Sequence, residues 1–557
     1  MKGPSAPLPP TLPAWAICDE DGPVGVDYLG TRQANLDMLS ELTGVYNNQV
    51  RSARQHAILA WTAWRFRENV KDREEVKPSE FRTFLEAVET IQMVGQHELA
   101  AEIGSAPGGL GSGSWKHWSG KGSVALGFGS DRTHETSALA AVQYGPSARS
   151  AGLGFLDSEG DIPVPTDGRG RALADALDRE LRKSSAYIHL THSPGRTLPL
   201  AAVLDLARHG LVLSRDRIAR PEIPAYIDAL FGFDGRPSRD HRSKTLALLL
   251  HLIGVGDQLS ADMVDGDPSA FGEQDVRVEL AAPDSAGPVP EVLQDTARRW
   301  QLFIARQLQR FALEAWQALL ERWMDDGVRD VPGFLQEVEG ALAEDDAARW
   351  RGPAADAVSA FDPVAWVAGK HPWRLAWDVI RPGLQPRVRD LAGVARAALD
   401  IWIGSTAFLL KIVPTSGPFA AFAATGTRQR ISMTEYQRWW RRREGWTVRE
   451  VLGELLEEFV LQQHVGVAVA RFDNQRRRLR FCGGEEGWTL LPGAKSNDYN
   501  PDFTRDRLGA ALALLHDVAL LDERPRQAGE DISYKLTSSG RATLERFLAG
   551  QTQAPST

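Results

Sequence analysis

Apolar residues along most of this chain return every three or four positions, the spacing that lines one face of an α-helix. Leu36, Leu39 and Leu42 form one such set. Val50, Ala53, Ala57, Trp61 and Trp64 form a second, after the turn residues Asn47 and Asn48. A third helix is predicted from about residue 78, on Phe81, Phe84, Leu85, Val88 and Ile91. The spacing predicts further helices over 169–182, 198–208, 221–231, 240–254 and 388–413, the last two carrying the runs Leu246–Leu250 and Ile401–Val413. The most strongly patterned helix spans 291–324, with Val292, Trp300, Phe303, Leu308, Phe311, Ala315, Leu319 and Trp323. Residues 255–290, acidic and rich in Gly, Pro and Asp, are expected as a loop. Thr447-Val448-Arg449-Glu450 has the spacing of a capping box and opens a helix expected to reach 463. Val465, Val467 and Val469 then alternate with small residues as a strand would, with a turn at Asp473-Asn474 and a return through Leu479 and Phe481.

The clearest mixed pattern lies near the C-terminus. A helix over 503–517, with Leu508, Leu512 and Leu515 on one face, is followed by the extended residues Val518, Leu520 and Leu521. A polar stretch from Asp522 to Asp531 then leads to alternating Ile532, Tyr534 and Leu536, and Thr537 stands where a last helix needs its cap. Helix, two-stranded wing and closing helix in this order is the winged-helix pattern. The expected fold is therefore mainly α, a multi-domain helical body with a C-terminal winged-helix (α+β) unit. Its expected regions are a proline-rich extended arm (1–26), an N-terminal helical region (27–103), a Gly/Ser-rich loop with short extended pieces (104–168) and a helical middle domain (169–425). A basic region with a hairpin and the winged helix (426–550) and a tail (551–557) complete it.

Composition adjusts this picture in three ways. A chain of 557 residues with 43% hydrophobic and 25% charged residues buries large cores without staples. Its two cysteines, Cys18 and Cys482, are far apart and have no partner at zinc-ligand spacing, which argues against a disulfide framework or a zinc ribbon. The N-terminal stretch has no apolar signal segment, and 401–413 is too short and too charged for a membrane span, so a buried helix and a cytoplasmic location are the expectation. The net charge of −9 argues against a surface that coats nucleic acid throughout, but leaves room for a local basic face.

Such a face has candidates. Arg438, Trp440, Arg441, Arg442 and Arg443 mix guanidinium with indole, and Arg476, Arg477, Arg478 and Arg480 sit beside the expected hairpin. Arg505 and Arg507 stand at the start of the helix before the wing, and Arg524 and Arg526 in the wing. Arginine with interleaved aromatics binds backbone phosphate and stacks on bases. The competing reading is a solvated helix face whose tryptophans pack inward, and around the wing Asp502, Asp506, Asp517, Asp522, Glu523, Glu530 and Asp531 oppose the arginines. Catalytic patterns are not met: Ser119-Gly120-Lys121-Gly122-Ser123 fails the phosphate-loop spacing, and Gly109-Leu110-Gly111 lacks the last glycine of a dinucleotide fingerprint. No metal site and no cofactor is expected, although Asp265, Asp267 and Glu273 share one acidic stretch, and His464 and His56 are expected as structural.

The strings Asp27-Tyr28-Leu29-Gly30, Leu42-Thr43-Gly44-Val45-Tyr46 and Arg51-Ser52-Ala53-Arg54-Gln55-His56 with Trp61 resemble the opening of a group of uncharacterised bacterial proteins. Phe459–His464, Arg480-Phe481 and Arg507–Leu512 resemble the end of the same group, while Asn47-Asn48 departs from its usual Thr pair. The resemblance covers about the first 70 and last 110 residues. It implies a place beside helicases, methylases or nucleases in anti-phage gene clusters, and it carries over no catalytic residue. The resulting expectation is a non-catalytic accessory protein that contacts DNA through its basic C-terminal region and holds such protein partners with its helical body. The alternatives are a protein-only scaffold and a metal-dependent nuclease with a site assembled from distant carboxylates.

Overall fold

The strongest sequence pattern becomes the longest element: 291–324 folds as the helix Glu291–Asp325, buried along nearly its whole length. The structure is a computed structural model, and it describes residues 27–44, 50–103, 122–127, 137–140, 143–149, 152–191, 197–213, 220–235, 241–261, 272–283, 287–425, 431–470, 479–523 and 532–552. The fold is mainly helical, 66% helix against 8% strand. Each described strand pairs with only one other, in four antiparallel ladders of two strands. The cores are therefore built by helices. The chain divides into two units, Met1–Leu39 with Gln274–Asp506, and Ser40–Glu273 with Arg507–Thr557. Both are discontinuous in sequence.

In the first unit Glu291–Asp325 packs along the apolar helix Leu391–Ile412. By length and composition Leu391–Ile412 could cross a membrane, yet 83% of its apolar window is buried, as in a core helix. The apolar set read from the sequence describes only part of the long helix. Arg306, Arg310, Glu314, Gln317 and Glu321, spaced four, four, three and four apart, run down a second face and are buried as well. Buried charge is tolerated where it is paired. Arg310 Nε reaches Glu314 at 2.6 Å, and Gln317 Nε2 donates to Glu321 at 3.0 Å.

In the second unit Ala53–Val70 packs on Arg169–Leu181, and Pro78–Glu98 on the segment 200–211. Gly95 makes the second contact close, since a Cβ there would collide with the Cβ of Ala207. The element order expected near the C-terminus is present: helix Leu508–Asp517, strand Leu521–Glu523, strand Tyr534–Leu536 and helix Ser538–Thr552, with Leu521 opposite Leu536. Thr537 Oγ1 accepts from the Gly540 amide at 2.9 Å and caps the last helix as expected. Arg242–Ala261 packs against both the hairpin and this helix.

Several local expectations are corrected. Val465, Val467 and Val469 lie on the helix Gln463–Ala470, not on a strand. The capped helix Val448–Leu455 runs on through a wider π-helical turn (Leu456–Gln462), and burial of Val460, Leu461, Val467 and Ala468 rewards helical spacing there. His464 is thus inside a helix rather than after one. Phe481–Gly484 pairs forward with Gly487–Leu490 instead of backward, and the expected turn at Asp473-Asn474 lies outside the described residues. The helix expected from 503 begins at Leu508, because Arg507 adopts the left-handed conformation (φ 62°) before it. The expected loop 255–290 contains helix at both ends: Arg242–Ala261 continues into it, and Glu273–Ala281 is a helix of its own.

Candidate nucleic-acid interface

The helix Met433–Arg441 shows how the Arg/Trp cluster is resolved. Ser432 caps it in a full capping box with Glu435, a start signal present in the sequence but masked there by the arginines that follow. Its inner face is locked by hydrogen bonds and rings. The Tyr436 hydroxyl receives the Trp402 indole N–H at 2.8 Å and lies 2.9 Å from Thr406 Oγ1, while Gln437 Nε2 donates to the Val413 carbonyl at 3.1 Å. Trp440 packs edge-on against Trp402 at 6.0 Å and is buried. An indole held this way offers no face to a nucleobase, so the expected role of Trp440 in stacking is not available. The tryptophans pack inward.

With that face inside, Arg438, Arg441 and Arg442 are all exposed at i, i+3 and i+4, the spacing of a single helix face. They make no ion pair among the described residues. Glu435, three residues before Arg438, accepts from the Ser432 amide and hydroxyl, and exposed Glu444, two residues after Arg442, makes no ion pair with these arginines. Arg443 turns away: it reaches Glu454 at 3.2 Å and Glu458 at 3.1 Å, and lies 4.5 Å over the Trp439 ring. Its charge is spent inside the fold.

The other expected contacts separate. Arg480 is buried, with Nη2 2.6 Å from Glu321 and 2.7 Å from the Lys495 carbonyl. Burial works against its charge, and Glu321 more than offsets this, holding the guanidinium above its ordinary pKa. Arg507 donates to Thr43 Oγ1 and the Gly44 carbonyl, both at 3.0 Å, and burial lowers its pKa. Neither is placed to meet phosphate. Arg505 is exposed at the edge of a cavity in the first unit. Arg476, Arg477, Arg478, Arg524 and Arg526 lie outside the described residues, as do Asp265 and Asp267. The helix in the recognition position, Leu508–Asp517, has no exposed residue. Its leucines, with Ala510 and Ala511, are buried on several sides, whereas a helix that enters a groove needs a free polar face.

Tyr28 and Leu29 meet Gln463, His464 and Arg480 in the first unit. Gln463 Nε2 donates to the Leu29 carbonyl at 2.9 Å, Tyr28 meets His464 edge-on at 5.6 Å, and Arg480 lies 5.2 Å over the Tyr28 ring. His464 Nε2 accepts the Arg480 amide N–H at 3.0 Å, and burial first, then Arg480, push its pKa down to about 3.

One buried cluster has the atoms of a nucleophile and its base. His56 Nε2 is 2.8 Å from Ser147 Oγ, and the Tyr226 hydroxyl is 3.0 Å from His56 Nδ1. All three residues have zero exposure, the Ser147 hydroxyl donates to the Tyr144 carbonyl at 2.9 Å, and burial pushes the His56 pKa down to about 3. A nucleophile needs access and a base that takes protons near neutrality, so this trio is packing. Among the described residues no group of three or more His, Cys, Asp or Glu is placed to hold a metal ion. Compared with protein-family models, with curated proteins and with solved structures, the chain matches none.

Proposed function

We propose that this protein is a non-catalytic adaptor that contacts nucleic acid through the outer face of the helix Met433–Arg441. One observation carries the reading: Arg438, Arg441 and Arg442 project from one face without carboxylate partners among the described residues, on a helix whose opposite face is locked by Tyr436 and Trp440. Three guanidiniums on a rigid helix suit phosphate oxygens, which position a strand without reading its sequence. The interface is thus narrower than the basic C-terminal region as a whole. The winged-helix reading of the last elements is supported by their order alone, and its part is to close the second unit. The resemblance of the terminal strings supports an assembly with a helicase, methylase or nuclease of a defence cluster.

Fluorescence anisotropy with labelled duplex and single-stranded oligonucleotides at low salt tests this. The native chain binds, and R438E/R441E/R442E does not. Absence of binding at low salt, or equal binding by the variant, overturns it. The internal use of Arg443, Arg480 and Arg507 favours a second reading, a protein-only scaffold. Under that reading the triple reversal leaves function unharmed.

A further inference from the structure

A cavity of about 390 Å³ opens in the first unit, and its lining combines aromatic faces with guanidiniums. Trp377 stands on its wall 42% exposed, whereas most other large aromatics among the described residues are buried. The residue sits in a wider π-helical turn, Leu375–Ile380, a distortion that often marks functional sites because it turns a side chain out of helical register. Phe503 meets Trp377 at 5.8 Å and is itself stacked on buried Phe311 at 4.5 Å, so the aromatic wall is braced from behind.

The charged lining is Arg277, Arg381, Arg505, Asp502 and Asp506, which leaves one positive charge in excess. Arg277 is committed to Asp506, with Nη2 at 3.1 Å from its carboxylate. Arg381 lies 4.5 Å over the Trp377 ring, and its contact with Asp502 is long (3.3 Å), with the two side chains 36% and 58% exposed. An ion pair so exposed is weak, and an incoming phosphate competes for the guanidinium. Arg505 is exposed and has no ion pair among the described residues. Gln274 adds a buried amide nitrogen, Nε2, with no hydrogen-bond partner.

We infer that this cavity binds a purine nucleoside monophosphate group, its ring stacked on Trp377 and its phosphate held by Arg381 and Arg505. The volume suits one nucleotide and is too small for several. The group comes either as a free nucleotide or as one nucleotide of a strand. The inference stands apart from the arginine face of Met433–Arg441, sharing none of its residues.

Isothermal titration of the full chain with AMP, GMP, adenosine and inorganic phosphate, and with a purine-containing single-stranded octanucleotide, tests it. A purine monophosphate that binds at least ten-fold more tightly than adenosine or phosphate identifies the free ligand. Binding of the octanucleotide alone identifies a strand as the source. In either case Trp377→Ala and Arg505→Glu each weaken binding about ten-fold, Trp377→Phe restores most of it, and R438E/R441E/R442E leaves mononucleotide binding unchanged. For the octanucleotide, Trp377→Ala is measured in the triple-variant background. Unchanged far-UV circular dichroism shows that the variants are folded. No binding of any of these ligands, or affinities indifferent to both Trp377→Ala and Arg505→Glu, overturns the inference.

Discussion

Arg480 and Glu321 form a two-pronged ion pair, with Nε 2.9 Å and Nη2 2.6 Å from the carboxylate, in which both side chains are buried. One residue comes from the long core helix and the other from the stretch before a hairpin, 159 positions later. Desolvation makes each charge dependent on its partner. Arg480→Ala or Glu321→Ala therefore lowers stability by about 3–5 kcal/mol, read from urea denaturation followed by tryptophan fluorescence. Replacing both by Met costs much less than either single change, because no unpaired charge is left. Equal costs for single and double variants would show that the pair is not coupled.

Acid destabilises this protein partly through two histidines. His56 and His464 are both fully buried, and burial pushes each pKa down to about 3 from an ordinary value of 6.5. Between those values the unfolded chain binds protons that the folded chain does not, so stability is complete above pH 6.5 and falls as pH drops towards 3. Each histidine contributes a loss approaching ~1.4 kcal/mol per pH unit in the middle of that window. His464→Gln is less stable at pH 7 but shows a shallower decline between pH 6 and 4 in thermal melts. A parallel decline would refute the assignment.

Asp517 holds a junction in the second unit. Its carboxylate accepts the Ala53 amide N–H at 2.7 Å, at the start of the helix Ala53–Val70, and both Arg220 Nη groups at 2.9 Å. Arg220 is buried and also reaches Glu222 at 3.3 Å, and Glu222 in turn binds Arg54 at 2.6 Å. Asp517→Ala strands a helix donor and half of a buried guanidinium, a loss of roughly 2–4 kcal/mol. Asp517→Asn keeps one acceptor and loses less. Chemical denaturation of the two variants gives the order.

The exposed and the internal arginines of 438–443 respond differently. R438E/R441E/R442E costs no more than about 0.5 kcal/mol per substitution, as substitutions far from buried partners do. Arg443→Glu removes the ion pairs with Glu454 and Glu458 and adds a like charge beside them, so it lowers the melting temperature measurably. If duplex binding uses the outer face, replacing any one of its three arginines by Ala reduces the slope of log affinity against log salt by about 0.9, because one phosphate fewer is neutralised. An unchanged slope would show that phosphate is neutralised elsewhere on the protein.

Periodicity and cap signals located the longer helices, because burial of an apolar stripe selects the helical spacing wherever it persists for three turns or more, but shorter helices such as Val331–Ala341, Glu344–Arg351 and Met433–Arg441 were not read from it. The long helix Glu291–Asp325, the capping box at Thr447 and the helix–hairpin–helix order at the C-terminus were all legible in this way. The valines at 465–469 were not, since a short alternating run satisfies two spacings and only the surrounding core chooses between them. Site residues were less legible still. The sequence determined which arginines existed and that indoles lay among them. Only the tertiary structure decided which charges face water: a guanidinium is indifferent to its neighbours in the chain, and its energy depends on carboxylates brought near by folding. That is why Arg480 and Arg443 serve the interior, Arg438, Arg441 and Arg442 remain free to meet a ligand, and Trp377, unremarkable in the linear pattern, stands exposed at a cavity.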